Sequence, residues 1–158
     1  MQDSRITIIG GGLLTSKIAA MYLNMIPEVE DPWWLCEAGK VSGVQFVNSF
    51  GQINYSGGDP LAEYGIRPVF AVHMDGIHQG DTVELIDRRS RSTNEFFTCI
   101  WTMGNEDAMI FCDRIICTTP FRTNGGTDYR GSDAEKAVLK FMSEMDGRLF
   151  DTYSTVKR

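Results

Sequence analysis

A run of three glycines near the start of the chain is the segment whose residue types most directly indicate chemistry. Gly10–Gly12 follow the apolar, β-branched segment Arg5–Ile9, and Glu37 lies further along the chain. Glycines between a strand and a helix can hold a pyrophosphate, and an acidic residue after a second strand can bind a ribose hydroxyl. However, Thr15 stands where the third glycine is required. Glu37 also follows Gly10 by 27 residues, against roughly 20 in the motif. A flavin- or nicotinamide-binding oxidoreductase fragment is therefore an alternative, and we expect no cofactor.

The other reactive side chains form no recognisable catalytic or metal-binding pattern. His73 and His78 flank the predicted turn 74–76, where no nucleophile pairing can be read from the sequence. No Cys-x-x-Cys pair and no histidine pair of zinc-finger spacing is present, so we expect no metal site. Cys112 and Cys117 flank an apolar stretch, which favours buried free thiols. The four cysteines are Cys36, Cys99, Cys112 and Cys117.

The charge balance argues against two classes of protein. The chain has a formal net charge of −6, so its surface should repel a phosphate backbone, and a nucleic-acid partner is not expected. Arg88, Arg89 and Arg91 form the one basic cluster, which we interpret as a solvated turn, with an anion-binding loop as the alternative. No apolar run approaches 18 residues, so we expect no membrane span. No signal peptide is evident, which predicts synthesis in the cytoplasm.

Local patterns predict an α+β domain of short strands with two main helices. Thr15 is a suitable N-cap for a helix that runs to about Ile26 and ends before Pro27. The sequence from Ser132 to Glu135 forms a capping box that opens the second helix. The predicted strands are 5–9, 32–36, 44–48, 52–55, 66–73, 82–86, 95–101 and 108–112, with 44–55 as a hairpin and Pro68 at an edge or bulge.

Three motifs of the first half carry a resemblance to a known family. They are Pro32-Trp-Trp-Leu35, the stretch Phe46–Tyr55, and Tyr64-Gly-Ile-Arg-Pro-Val-Phe70. This order resembles an uncharacterised bacterial and phage domain family marked by Trp-Trp-Leu-Arg-Ser-Pro, Val-Asn-x-x-Gly and Gly-Val-Arg-Pro-Ala-Leu. Cys36 replaces the family arginine, and Glu37-Ala-Gly39 replaces Ser-Pro-Gly. The residues that match the signature are Trp33, Trp34, Gly51, Gly65, Arg67 and Pro68.

The resemblance implies a C-type-lectin-like fold, related to formylglycine-generating-enzyme-like folds, with its halves in reversed order. Residues 1–76 resemble the C-terminal half of the family, and residues 80–158 resemble its N-terminal half. The chain is then one domain, 1–158, that is either circularly permuted or completed by exchange of halves with a neighbouring chain. Exchange implies a homo-oligomer.

Candidate binding residues follow from this resemblance, because lectin-like folds place ligand contacts on loops. The candidates are Asn54, Tyr55, Asp59, Glu63 and Tyr64. Trp33 and Trp34 should point to opposite faces of a strand, one in the core and the other exposed, where it could bind a ligand. Arg67 on an apolar strand is expected to pair with a carboxylate or backbone carbonyls, with ligand binding as the alternative.

The resulting expectation is a non-enzymatic recognition module of phage or bacterial origin. It would bind a protein, a glycan or a small molecule, in a virion-associated or adhesion role. The alternatives are a phage counter-defence protein that sequesters a host factor or a nucleotide signal, and the oxidoreductase fragment built on Gly10–Gly12.

Overall fold

The computed structural model describes residues 3–86, 92–104, 106–147 and 152–156. The chain divides into two compact units, and each takes segments from both halves of the sequence. One unit comprises Met1–Gly11, Val69–Asp113 and Phe141–Arg158, and the other comprises Gly12–Pro68 and Arg114–Lys140. The single-domain assignment and the reversed order of halves stay predictions. The turn predicted at Arg88, Arg89 and Arg91 lies outside the described residues.

The α+β class is confirmed. Among the described residues, the strands are β1 (Asp3–Gly12), β2 (Trp33–Ala38), β3 (Val44–Val47), β4 (Ile53–Gly58), β5 (Tyr64–Ile66), β6 (Val69–Met74), β7 (Thr82–Ile86), β8 (Ser92–Met103), β9 (Asp107–Cys112), β10 (Cys117–Thr119) and β11 (Thr152–Val156). The helices are α1 (Ser16–Tyr22) and α2 (Asp133–Gly147). No helix in these ranges has the length and apolar character needed to cross a membrane.

Six strands close into a barrel in the order β1-β11-β7-β8-β9-β6. Its long antiparallel hairpin β8–β9 pairs Phe97 with Cys112 and Met103 with Asp107. Phe70 is fully buried, and the centroid of its ring lies 5.4 Å from that of Phe97. A Cβ atom at Gly11 would come within 2.8 Å of the Phe70 ring. The middle glycine of the triplet therefore serves close packing of β1 against an aromatic side chain.

The other unit contains a five-stranded sheet in the order β10-β5-β2-β3-β4. Strands β2 and β5 pair in parallel, and the other neighbours are antiparallel. The core of this unit surrounds Trp34, whose ring centroid lies 4.6 Å from that of Tyr64 and 5.5 Å from that of Phe121. Ala134 and Val138 of α2 belong to the same buried cluster. The sheet and its aromatic core are what position the candidate site described below.

The predicted hairpin is confirmed, whereas one predicted strand and the first helix have different bounds in the structure. The hairpin 44–55 is present as β3 and β4. The strand predicted at 66–73 is instead two strands, β5 and β6, that belong to different sheets. Pro68 separates them because proline has no N–H to donate to a ladder. Helix α1 ends before Ile26, since Met25 N donates to Tyr22 O at 2.9 Å and tightens the last turn.

The N-cap at Thr15 is confirmed, and the predicted capping box is confirmed for Ser132 but not for the return bond from Glu135 to Ser132 N, which donates to Tyr129 O instead. Thr15 Oγ1 accepts a hydrogen bond from Ile18 N at 3.2 Å. Ser132 Oγ accepts from Glu135 N at 3.0 Å, and the Glu135 carboxylate accepts from Gly131 N at 2.9 Å. Thr15 and Ser132 thus each satisfy an amide that the first turn of a helix leaves without a partner.

The prediction for the cysteine pair is half right. None of the four cysteines forms a disulfide; Cys112 is buried at the end of β9, but Cys117 is exposed. The prediction is wrong for Cys117 because that residue opens β10, the outer strand of the five-stranded sheet. An edge position leaves its side chain in solvent despite the apolar residues before it.

One testable consequence concerns His73 on β6, which pairs with Asp107 on β9. His73 Nδ1 lies 2.9 Å from Asp107 Oδ1, and this hydrogen bond raises the pKa of His73 above its ordinary value. We expect Asp107→Asn to lower the pKa of His73, measured by NMR titration of the imidazole protons. Glu106 lies 3.7 Å from Nε2, so Glu106→Gln should produce a smaller decrease.

The direction of the linked stability change follows from the sign of this shift. A raised folded-state pKa stabilises the fold below the ordinary histidine value of about 6.5, and the contribution is lost as pH rises through the folded-state pKa. An unchanged His73 titration in Asp107→Asn would contradict the hydrogen bond between the His73 and Asp107 side chains.

Candidate functional site

A cavity of about 250 Å³ lies in the unit that contains the five-stranded sheet. Its walls come from the end of α1 and the segment that follows it, from β2 and β3, from the turn after β3, and from Arg67 just after β5. Most of the lining side chains are apolar, and two carry charge. The lining residues are Leu23, Ile26, Pro27, Glu28, Val29, Trp33, Val47, Ser49, Phe50, Gly51 and Arg67. We call this the Arg67 cavity.

Arg67 is a buried cation in the wall of this cavity, with only 1% of its surface exposed. Its Nη2 donates a hydrogen bond to Pro27 O at 3.0 Å, and its Cζ lies 5.0 Å from the centroid of the Trp33 ring. A guanidinium over an aromatic face is stabilised by the ring quadrupole and keeps its charge at any physiological pH. Both sequence interpretations therefore remain open, since Arg67 bonds a backbone carbonyl and also lines a cavity.

Both adjacent tryptophans are buried, which corrects the expectation that one of them is exposed. Trp34 packs in the aromatic core, and its Nε1 donates to Thr119 O at 3.0 Å. Trp33 is 2% exposed and lines the Arg67 cavity. Alternation along β2 sends the two indoles to opposite faces, but both faces of this central strand are covered. Trp33 still remains a candidate ligand contact, through the cavity instead of an open surface.

The turn after β3 presents an aromatic side chain at the cavity. Asn48 Oδ1 accepts hydrogen bonds from Phe50 N at 2.9 Å and from Gln52 N at 3.0 Å. Gly51 adopts a φ of 77°, a backbone conformation that favours glycine. Phe50 is 85% exposed although it is a large apolar residue. An ordered turn thus holds an apolar ring in solvent beside the cavity.

The five loop candidates lie elsewhere, and none of them lines the Arg67 cavity. Asn54 Oδ1 accepts from Gly57 N, and Asp59 Oδ1 accepts from Leu61 N, so both carboxamide and carboxylate stabilise local turns. Tyr64 is half-buried and packs against the core residues Trp34 and Phe46. Tyr55 is exposed, with Lys40 Nζ 5.2 Å from its ring centroid, and Glu63 is also exposed.

Three of the six signature residues lie together at the Arg67 cavity, whereas none of the five loop candidates does. Trp33, Gly51 and Arg67 all line the Arg67 cavity, although they come from three separate motifs. Of the other three, Trp34 is in the core, Pro68 ends the segment after β5, and Gly65 packs against Ile115, which a Cβ would approach to 2.7 Å. Sequence reasoning missed the remaining lining residues. The signal that could have found them is a largely apolar segment after the first helix, Leu23 to Val29, followed by Phe50 in a polar turn.

The residues of the possible dinucleotide-binding motif, Gly10–Gly12 and Glu37, do not have the positions that such a motif requires. Gly10–Gly12 lie inside β1 and do not form a loop before α1. Glu37 Oε1 accepts hydrogen bonds from Ser16 N at 2.6 Å and from Ser16 Oγ at 2.9 Å. The carboxylate that would bind a ribose therefore interacts with the first residue of α1. The oxidoreductase alternative gains no support from this geometry.

We expect Glu37→Gln to lower the free energy of unfolding by about 1–2 kcal/mol, because hydrogen bonds to a charged acceptor become bonds to a neutral one. Chemical denaturation at neutral pH measures the loss. Glu63→Gln is the matched control, since Glu63 is exposed, and its effect should stay within about 0.5 kcal/mol. Equal losses in both variants would show that the contact with Ser16 does not stabilise α1.

The half-buried Cys36 and the buried Cys99 are poorly suited to nucleophilic chemistry. Burial raises the pKa of Cys36 and of Cys99 to about 11, and the protonated thiol is not the reactive form. Within the described ranges, no three His, Cys, Asp or Glu side chains are grouped so that they could hold a metal ion. Comparisons with protein-family models, curated proteins and solved structures find no significant match to this chain.

Proposed function

We propose that this protein is a non-enzymatic recognition module that binds a small ligand in the Arg67 cavity. One observation carries the proposal: a buried guanidinium lines a small cavity together with apolar side chains such as Leu23 and Val47. Ligand sites typically combine an apolar lining with a few placed polar groups that fix orientation. Arg67 is held by Pro27 O and by the Trp33 ring, so such a group is already positioned before a ligand arrives.

The family resemblance supports the same site. Trp33, Gly51 and Arg67 are signature positions, and all three line the cavity. We therefore also propose a C-type-lectin-like domain of phage or bacterial origin, with its halves permuted or exchanged between chains. The α+β class with largely antiparallel sheets is compatible with that proposal. A mass measurement in solution separates the two arrangements, because a strict monomer leaves only permutation.

The test is a screen of small metabolites by NMR with the full chain. Ligands of the cavity should shift the amide signals of residues 26–29 and 47–51. No bound molecule in these segments at any ligand concentration would overturn the proposal. An absorption spectrum adds a second test, since a yellow preparation would favour the flavin-binding alternative.

Phe50→Ala provides a quantitative check on any ligand found. Truncation should weaken binding by about tenfold, because a ligand in the cavity would cover the exposed Phe50 ring and the variant would lose that aromatic contact. The midpoint of thermal unfolding should barely change, since Phe50 is largely in solvent. Leu61→Ala is the control, because Leu61 is also exposed and does not line the cavity. If Phe50→Ala and Leu61→Ala bind the ligand with equal affinity, the ligand does not bind in the Arg67 cavity.

A further inference from the structure

The outer face of the barrel carries two neighbouring rows of side chains across β6, β9 and β8. Residues directly opposite each other in a ladder share one face of the sheet. We call these two rows the Trp101 face; they consist of Ala71, Met109 and Trp101, and of His73, Asp107 and Met103. Val72 and Ala108, which pair with each other between the rows, are buried. The rows therefore point away from the interior of the barrel.

Large apolar side chains on this face are exposed and adjacent to one another. Trp101 is 36% exposed and Met103 is 60% exposed. They are two residues apart on β8, so their side chains lie about 7 Å from each other, and Met109 is directly opposite Trp101. Single exposed apolar residues are ordinary, but a group of them indicates an interaction site. Tryptophan and methionine are also enriched at protein–protein interfaces.

Carboxylates surround the one histidine of the Trp101 face. Asp107 Oδ1 lies 2.9 Å from His73 Nδ1, and Glu106 Oε2 lies 3.7 Å from His73 Nε2. After the hydrogen bond to Asp107, the negative charge of Asp75 also contributes to raising the pKa of His73. One histidine neutralises at most one of these three carboxylates. The face therefore keeps a net negative charge in either protonation state of His73.

The sequence around the face adds to this negative charge. Residues 68–87 and 92–113, which include β6 to β9, contain eight Asp and Glu residues and no Lys or Arg. The arginines at 88–91 precede Ser92, the first residue of β8. Ser92 is about 30 Å from Trp101 along an extended strand. No arginine of that cluster is thus close in sequence to the Trp101 face.

We propose that the Trp101 face binds a basic polypeptide segment of another protein, one that carries arginine or lysine next to apolar side chains. The apolar side chains of the partner pack on Trp101, Met103 and Met109. Its cationic groups lie over the indole of Trp101 and pair with the carboxylates of Glu106 and Asp107. This surface belongs to the unit that contains the barrel, so the inference is independent of the Arg67 cavity.

Charge complementarity selects this partner over other occupants. A second copy of the chain would bring the same carboxylates against those of the first, and like charges that face each other oppose binding. Nucleic acids and anionic membranes are repelled for the same reason. A basic segment is attracted by the carboxylates, and a cation over an indole ring is stabilised further by the ring quadrupole.

The experiment measures the affinities of three peptides by NMR titration of the full chain. The basic peptide is acetyl-Arg-Ser-Leu-Ser-Arg-Ser-Leu-Ser-Arg-amide, in which arginine and leucine share one face of an extended segment. The acidic peptide has glutamate in place of arginine, and the polar peptide has serine in place of leucine. The basic peptide should shift the indole N–H signal of Trp101 and the amide signals of residues 71–73 and 107–109. The other two should bind at least about fivefold more weakly.

Two variants with matched controls test the two halves of the proposal. Glu106→Lys reverses an exposed charge, so it should weaken the basic peptide by about fivefold and strengthen the acidic one. Glu30→Lys changes an exposed carboxylate of the other unit and should change neither affinity. Met103→Ser should weaken the basic peptide by about threefold or more, because the contact loses apolar area. Leu61→Ser, at a residue of similar exposure in the other unit, should have no effect.

Three results would overturn the proposal. The first is a basic peptide that shifts none of these signals, and the second is a basic peptide that binds no more tightly than the acidic one. The third is a full chain that sediments as a dimer and becomes a monomer in Met103→Ser, because a second copy would then occupy the face. Opposite responses of the basic and acidic peptides to Glu106→Lys, with shifts at the Trp101 face, support the proposal. The signals of the Arg67 cavity, at residues 26–29 and 47–51, report on the proposed function separately.

Discussion

Trp34→Ala is expected to lower the free energy of unfolding by about 3–5 kcal/mol, the usual effect of truncating a buried aromatic residue. Trp34 has no exposed surface, and its ring lies among those of Phe46, Tyr64 and Phe121. The substitution also leaves the Thr119 carbonyl without the indole donor that it accepts from. The loss is a large part of a typical stability of about 5–15 kcal/mol. Denaturant titration followed by fluorescence or circular dichroism measures it.

Two further variants make this prediction specific. Trp101→Ala removes an indole that is 36% exposed, so its cost should be clearly smaller. Trp34→Phe keeps an aromatic ring and removes the hydrogen bond to Thr119 O, which should cost about 1 kcal/mol plus a packing loss. If Trp34→Ala and Trp101→Ala had equal effects, the aromatic cluster would not be the core of this unit.

The local part of this fold could be predicted from the sequence, because its signals are local. The strand–turn–strand pattern of 44–55 and the capping residues Thr15 and Ser132 act within a few residues, and the structure contains all of them. The short strand β10 was not predicted, and β5 was not separated from β6 in the predicted strand 66–73. Each has three residues, too few for a periodic pattern, and each forms because a distant segment lies beside it.

The candidate site could be predicted only in part, for the same physical reason. Arg67 and Trp33 were singled out individually, yet their meeting depends on the parallel pairing of β2 with β5, which joins Trp33 to Gly65. Such pairing joins residues far apart in the chain, and no local pattern specifies it. Tyr64 shows the opposite error: a polar, glycine-rich context predicted a loop, whereas its half-buried ring packs against the core residue Trp34.

The glycines of the first half also acquire a physical explanation. Gly39, Gly43 and Gly57 lie where two backbone segments pass each other at close range. A Cβ at Gly57 would come within 1.7 Å of Ser42 O, and one at Gly39 within 2.1 Å of the same oxygen. Val41 N and Ser42 N donate hydrogen bonds to Ser56 O in this region. The glycine excess there reflects backbone contact as well as turn geometry.

Gly43→Ala therefore should be among the most damaging single-methyl additions in this chain. Gly43 has a φ of 64°, and a Cβ on it would lie 1.9 Å from Gly58 O. The neighbour is backbone held in the β3–β4 pairing, where Val44 pairs with Gly58, so it cannot rotate away as a flexible side chain would. We expect a loss of about 3 kcal/mol or more, which combines left-handed strain of about 1–2 kcal/mol with overpacking of about 1–3 kcal/mol.

Gly104→Ala is the matched control that separates these two contributions. Gly104 has the same φ of 64°, but nothing lies within 4 Å of its would-be Cβ. It should therefore lose only about 1–2 kcal/mol, the part due to backbone strain. Denaturant titration of both variants gives the difference directly. If Gly43→Ala loses much more free energy of unfolding than Gly104→Ala, the additional loss comes from the close approach of Gly43 to Gly58. Equal losses would mean that β3 and β4 do not approach each other at this distance.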